Sequence, residues 1–250
     1  MSETSLGRRL LAEWLGSAAL AALVVGSGIA AQQLTPGDVG LELLYNAAAT
    51  AAGLFALILM FGPVSGAHFN PVVSFVDAAF GGMKWRDAAA YVPAQVGGCI
   101  SGAILANVMF SRAAVSISTH HRATGAHFVS EIVATSGLLL VIFALARTGR
   151  GATAPAAVGA YIGAAYWFTS STSFANPAIT VGRMFSDSFA GIAPSSAPAF
   201  IAAQLLGAAV GYALIRILYP AITPTEASEV VMPHLPAAED VAGRSLPTGP

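Results

Sequence analysis

A chain of 250 residues that is 56% apolar and only 9% charged, with a mean hydropathy of +0.71, is not a water-soluble domain. Its 11 basic and 12 acidic residues nearly cancel, which excludes a polyanion such as nucleic acid as partner. The lone Cys99 lies in an apolar run, so it offers no disulfide framework or Cys-rich metal site within one chain and reads as a small buried hydrophobe.

In chain order, six apolar runs reach or approach the roughly 20 residues needed to cross a bilayer core: 10–31, 41–61, 88–110, 128–146, 154–168 and 199–219. Arg8-Arg9 before the first run imitates a secretory leader, but Glu13 and the length of the run favour a retained span. Six spans put both termini on one side. Arg8, Arg9, Lys84, Arg86, Arg147, Arg150, Arg216 and Arg244 fall on that side, against Arg112, Arg122 and Arg183 on the other. Basic residues accumulate in cytoplasmic loops, so both ends are expected in the cytoplasm and the chain in the cell inner (plasma) membrane. Residues 221–250, rich in Pro with Glu226, Glu229, Glu239 and Asp240, read as a disordered cytoplasmic tail without assigned chemistry.

The two halves carry the same landmarks in the same order: Glu13, Asn70 and Ala94-Gln95, then Glu131, Asn176 and Ala203-Gln204. Three spans per half make the second half enter from the opposite face. Inverted repeats of this kind meet at the midplane, where a substrate path usually runs. The expected channel domain is 1–220, with repeats 8–110 and 127–219. The third span of each half also holds a Gly pair four apart, Gly98 with Gly102 and Gly207 with Gly211, which admits close helix approach.

Between spans, Asn70-Pro71-Val72 and Asn176-Pro177-Ala178 each open an apolar stretch too short to cross. Irregular backbone survives at membrane depth only where it is buried in protein or lines a wet cavity. Proline at the first helical position loses no needed donor, and the preceding Asn caps the helix through its oxygen while its NH2 is left to point into the lumen. Two half-helix N-termini facing each other disfavour cations and offer donors to a neutral hydroxylated solute. Glu13 and Glu131, costly if left unpaired in lipid, are expected to face the bundle interior and accept backbone N–H groups.

Ser65-Gly66-Ala67-His68-Phe69-Asn70-Pro71 and Phe174-Ala175-Asn176-Pro177-Ala178 resemble the major intrinsic protein family, the aquaporins and aquaglyceroporins. The resemblance covers about residues 10–219 and implies an all-α, right-handed bundle of six spans and two re-entrant half-helices. It also implies a pore in each subunit, homotetramers in the lipid bilayer, small uncharged solutes as cargo and no cofactor. Glu13 and Glu131 would brace the re-entrant loops, with His68 as a further brace.

Family spacing, counted without gaps from the two Asn residues, puts Thr50, Ala164, Ser173 and Ile179 at the outer constriction. Ile179 stands where the family most often has Arg. A water-selective pore calls for an aromatic, a His, a small residue and Arg, so these four residues predict a wide, weakly polar, uncharged constriction that passes solutes larger than water. Val72 replaces the usual Ala and adds bulk at the centre. Arg183, four residues beyond Ile179, either supplies a displaced cationic filter or pairs with Asp187 along the helix, the latter favoured.

Arg183 to Ile192 resembles a stretch in bacterial members of arsenic-resistance systems, which implies metalloid hydroxides, arsenic species included, alongside water and glycerol. A water-selective aquaporin is the alternative, and a coupled secondary transporter is the alternative of another class. No nucleophile has a paired base and no metal-ligand spacing occurs, so the expectation is a channel and not an enzyme. His120, His121 and His127 read as solvated rather than as a metal site.

Overall fold

The computed structural model describes residues 4–220, and the tail expected over 221–250 lies outside them. Eight α-helices follow one another: α1 Leu6–Leu34, α2 Val39–Ser65, α3 Pro71–Phe80, α4 Trp85–Met109, α5 Gly125–Arg147, α6 Ala154–Phe168, α7 Pro177–Gly182 and α8 Ala197–Leu218. Five are long and apolar enough to cross a membrane. The sixth span, α6, has 15 residues and covers only about 22 Å, so a 3₁₀ turn at Gly151–Thr153 extends it at one end. Two short helices, α3 and α7, complete the expected all-α architecture of six spans and two half-helices.

Local sequence fixes the ends. Asp38 caps α2 by accepting from the Leu41 N–H at 3.0 Å. Gly66 and Gly81 close α2 and α3 in the left-handed region, at φ 86° and 85°, where a side chain would clash with its own backbone. Asn70-Pro71 and Asn176-Pro177 start α3 and α7, each Asn at the cap and each Pro at the first helical position.

The bundle repeats its order of long helix, long helix, half-helix and long helix, α1 to α4 and then α5 to α8. Within the halves, α1 lies mainly on α4 and α2, while α5 lies mainly on α8; α6 joins them by packing on α2. Small residues make the two equivalent crossings possible. A Cβ at Gly102 would stand 2.0 Å from the Ala18 carbonyl oxygen, and one at Gly207 would stand 2.8 Å from that of Ile132. Ser136 adds a hydrogen bond across the second crossing, Oγ to the Gly207 carbonyl at 2.9 Å.

Candidate solute path and its constriction

The segments before the half-helices are built from an unusual backbone. Gly66, Ala67 and Phe69 have positive φ, and so do Thr172, Ser173 and Ala175, at the same distances ahead of their Asn residues. Non-glycine residues pay about 1–2 kcal/mol each to sit there. The offset comes from two buried carboxylates. Glu13 Oε1 accepts from Ser65 Oγ at 2.6 Å and the His68 N–H at 3.0 Å, and its Oε2 accepts from the Phe69 N–H at 2.7 Å and Gln95 Nε2 at 2.8 Å. Glu131 repeats the pattern with Ser171 Oγ at 2.6 Å, Phe174 N–H at 2.9 Å, Ala175 N–H at 2.8 Å and Gln204 Nε2 at 2.7 Å. Four donors per carboxylate satisfy a charge that would otherwise be prohibitive at this depth.

The two Asn residues hold both ends of the junction. Asn70 Oδ1 accepts from the Val72 N–H at 3.1 Å, and Asn176 Oδ1 accepts from Ala178 at 2.9 Å and Ile179 at 3.3 Å. Asn70 Nδ2 donates to the Ala175 carbonyl at 2.8 Å, and Asn176 Nδ2 donates to the Phe69 carbonyl at 2.7 Å. Each amide therefore spends one N–H on the opposite loop. An NH2 group has two, and both Asn residues line a central cavity of about 70 Å³. Pro71, Val72, Pro177 and Ala178 are buried at the helix starts beside them.

Four-residue stripes line that cavity: Thr50, Leu54 and Ile58 on α2, Val158, Ile162 and Tyr166 on α6, Leu20 and Val24 on α1, Leu138 and Ile142 on α5. This periodicity corrects one expectation. Ala164 lies two positions after Ile162, about 200° around the helix, and is exposed on the outer face. Tyr166 takes its place in the cavity, and its hydroxyl lies 3.2 Å from Thr50 Oγ1. Counting without gaps fixes a position by its distance from Asn176, whereas the turn of α6 decides which side chain meets the cavity. Thr50, Ser173 and Ile179 do face the cavity.

Arg183 gives the second correction. Its expected pairing with Asp187 is not formed, because α7 stops at Gly182 and the chain winds as a 3₁₀ turn through Phe185 before extending at Ser186. Asp187 Oδ1 accepts instead from Thr119, N–H at 2.9 Å and Oγ1 at 3.1 Å, with His120 Nε2 3.8 Å away. Arg183 is 2% exposed and lines the cavity. Its Nε donates to the Ala190 carbonyl, and its guanidinium carbon lies 3.4 Å from the Phe174 ring centroid. The end of the cavity near Thr50 is therefore neither wide open nor uncharged. It holds a phenol and a guanidinium that the counted positions did not contain.

Arg122 also places its guanidinium carbon near Phe174, 5.6 Å from the ring centroid. Arg122 Nε and Nη2 donate to the Gly191 and Phe189 carbonyls, both at 2.8 Å, so the segment that receives Arg183 is fastened by a second arginine. Burial in this loop pulls the Arg122 guanidinium below its ordinary range. The sequence reading gave Tyr166, Phe174 and Arg122 no part in the constriction. The stripe Val158, Ile162, Tyr166, parallel to Thr50, Leu54, Ile58, was the available signal for the first.

His68 lies in the cavity wall, its Nδ1 3.0 Å from Ser74 Oγ and its Nε2 3.7 Å from Asp77 Oδ2. Arg183 and Asp77 are repeat counterparts, each seven residues after its Asn, as Phe174 and His68 are, each two before. The three loop histidines have separate neighbours: His120 near Asp187, His121 Nδ1 3.2 Å from Ser195 Oγ, and His127 Nδ1 at the Arg122 carbonyl. Among the described residues no group of three His, Cys, Asp or Glu could hold a metal ion.

Six spans, two capped half-helices and a lined cavity at their junction define a membrane channel for small solutes. A profile described as "Major intrinsic protein" matches residues 1–175 and 169–243. The chain is 50% identical over 222 residues to "Aquaglyceroporin AqpS" of Rhizobium meliloti, covering 88% of this chain and 94% of that one. It is 31% identical to the "Glycerol uptake facilitator protein" of Pseudomonas aeruginosa, over 90% of this chain and 93% of that one. The X-ray structure of the aquaglyceroporin from Plasmodium falciparum shares the fold at a TM-score of 0.65 and 22% identity, covering 86% of this chain and 98% of that one. The chain belongs to the major intrinsic protein family. It is a multi-pass membrane channel, not an enzyme.

Proposed function

We propose that the chain conducts glycerol and metalloid hydroxides such as arsenous acid, with water, through one pore per subunit of a homotetramer in the inner membrane, both termini in the cytoplasm. The observation that carries this reading is Ile179, buried in the cavity wall where a filter arginine would otherwise fill the path. Asn70, Pro71, Val72, Asn176, Pro177 and Ala178 form the midplane station. Thr50, Ser173 and Ile179, with Tyr166 in place of Ala164, form the outer constriction, and Arg183 is its displaced cationic member. Glu13, Glu131 and His68 hold the loops. The channel domain is 1–220 with repeats 8–110 and 127–219. The 50% identical relative bears the name aquaglyceroporin, which supports solutes larger than water, and an arsenic role fits a passive path that follows the gradient of a neutral hydroxide.

Stopped-flow light scattering on proteoliposomes tests this reading with water, glycerol and arsenous acid in the wild type and in Ile179→Arg. The wild type passes all three. The variant places a second guanidinium beside Arg183 and loses the larger solutes while retaining water. A wild type that passes only water, unchanged by the substitution, refutes the role given to Ile179 in admitting larger solutes.

A further inference from the structure

Arg183 is a buried cation without an acid. Among the described residues no carboxylate lies within ion-pair distance of it or of Arg122. Asp187 is engaged by Thr119 beside His120, and Glu131, on α5, already accepts four hydrogen bonds. Tyr166 of α6, also at this end, turns its hydroxyl to Thr50. Arg183 commits its Nε to the Ala190 carbonyl and one face to Phe174, which leaves its two terminal nitrogens without a hydrogen-bond partner among the described residues. A second observation points the same way. Ser173 Oγ, on a residue 3% exposed in the wall of the same cavity, has no hydrogen-bond partner among the described residues.

A charge taken out of water calls for a counter-charge, and a guanidinium fork suits a planar oxoanion held by two parallel hydrogen bonds. Arg122 adds a second positive charge beside the Phe174 ring, 5.6 Å from its centroid. Toward the other end the wall carries Leu54, Ile58, Leu138, Ile142, Val158 and Ile162, and the polar groups among them, His68 and one remaining N–H each of Asn70 and Asn176, are too few to replace an ion's hydration. An anion can therefore dock at the outer end and go no further.

We propose that the outer end of the cavity binds small monovalent oxoanions of the carboxylate and sulfonate class on Arg183, with Ser173 Oγ as second donor, and that weak acids of this class cross as the neutral acid. The bound carboxylate takes one proton from a hydronium ion of the external solution: a hydronium O–H bond breaks and leaves water, and one O–H bond forms on the carboxylate. Its charge-assisted bonds to Arg183 then weaken, and the neutral acid passes the midplane. The proton is returned to water on the far side, so one acid moves and no net charge does. This inference rests on reading the cavity as the solute path.

Two probes test it on the full chain. Methanesulfonate stays ionised and titrates the site alone; glycolate can be protonated and cross. Isothermal titration of methanesulfonate into the detergent-solubilised protein is expected to show binding, retained in Arg183→Lys, weakened in Ser173→Ala and roughly tenfold or more weaker in Arg183→Gln, as for loss of a charge-assisted pair. In phosphatidylcholine proteoliposomes, external methanesulfonate lowers glycerol influx relative to sodium chloride at equal ionic strength. Glycolate acidifies the lumen faster than in protein-free vesicles, increasingly so at lower external pH. Absence of wild-type binding, or binding equal in Arg183→Gln, overturns the anion site; binding without faster acidification overturns the crossing. Absent glycerol influx refutes the proposed function instead, because the titration reads the site without flux.

Discussion

Glu131 illustrates what one carboxylate does here: two oxygens take four donors, two of them backbone N–H groups, those of Phe174 and of Ala175, the latter at positive φ. An amide offers one accepting oxygen and turns an NH2 group on the other donors. Glu131→Gln is therefore expected to destabilise the fold by about 2–4 kcal/mol, through buried donors left facing donors. Thermal unfolding in detergent measures it, and an unchanged midpoint would show that the loop holds its shape without the charge. Tyr166 and Ala164 allow a sharper comparison, since they lie on opposite faces of α6. Tyr166→Ala is expected to raise glycerol permeability and admit a longer polyol, whereas Ala164→Ser leaves permeability per channel unchanged. Vesicle swelling with glycerol and erythritol reads both, and the reverse pattern would restore the ungapped assignment.

Helix crossings are where single atoms decide packing. At Gly102 a Cβ would meet the Ala18 backbone oxygen at 2.0 Å, and backbone cannot step aside as a side-chain tip can. At Gly97 the nearest atoms are 3.8 Å away on Trp14, an ordinary contact. Gly102→Ala is thus expected to force α1 and α4 apart and lower the unfolding temperature, while Gly97→Ala keeps or raises it through the lower chain entropy of the unfolded state. Equal midpoints would mean that the crossing tolerates the shift. The Gly pairs were legible beforehand, as were the spans, the half-helix starts and the inverted repeat, because hydropathy and Asn-Pro spacing encode them directly. The lumen-facing side of α6 was not, since α6 is apolar all round and its distance to Asn176 depends on the loop. The position of Arg183 was hidden for a similar reason. An i, i+4 pairing with Asp187 presumes a helix that in fact ends at Gly182.

The repeat makes the backbone of the whole molecule nearly symmetric, and the side chains then break that symmetry. Arg183 over Phe174 in one half corresponds to Asp77 beside His68 in the other, so the cavity is cationic and polar at its Thr50 end and carries apolar stripes beyond it. Charge exclusion should then have two independent parts: the arginines facing external cations, and the paired Asn donors with the apolar stripes facing any ion that reaches the centre. Removing one part alone should not open the path to sodium. Removing the second should, because Asn176→Asp replaces a donor to the Phe69 carbonyl by a carboxylate at the midplane and gives a cation the partner it lacked. In vesicles under a sodium gradient, a potential-sensitive dye is expected to report no sodium leak in wild type or Arg183→Gln. A leak appears in Asn176→Asp and grows in the double variant. A leak in Arg183→Gln alone would place the whole barrier at the outer end and leave the midplane as a station for neutral solutes only.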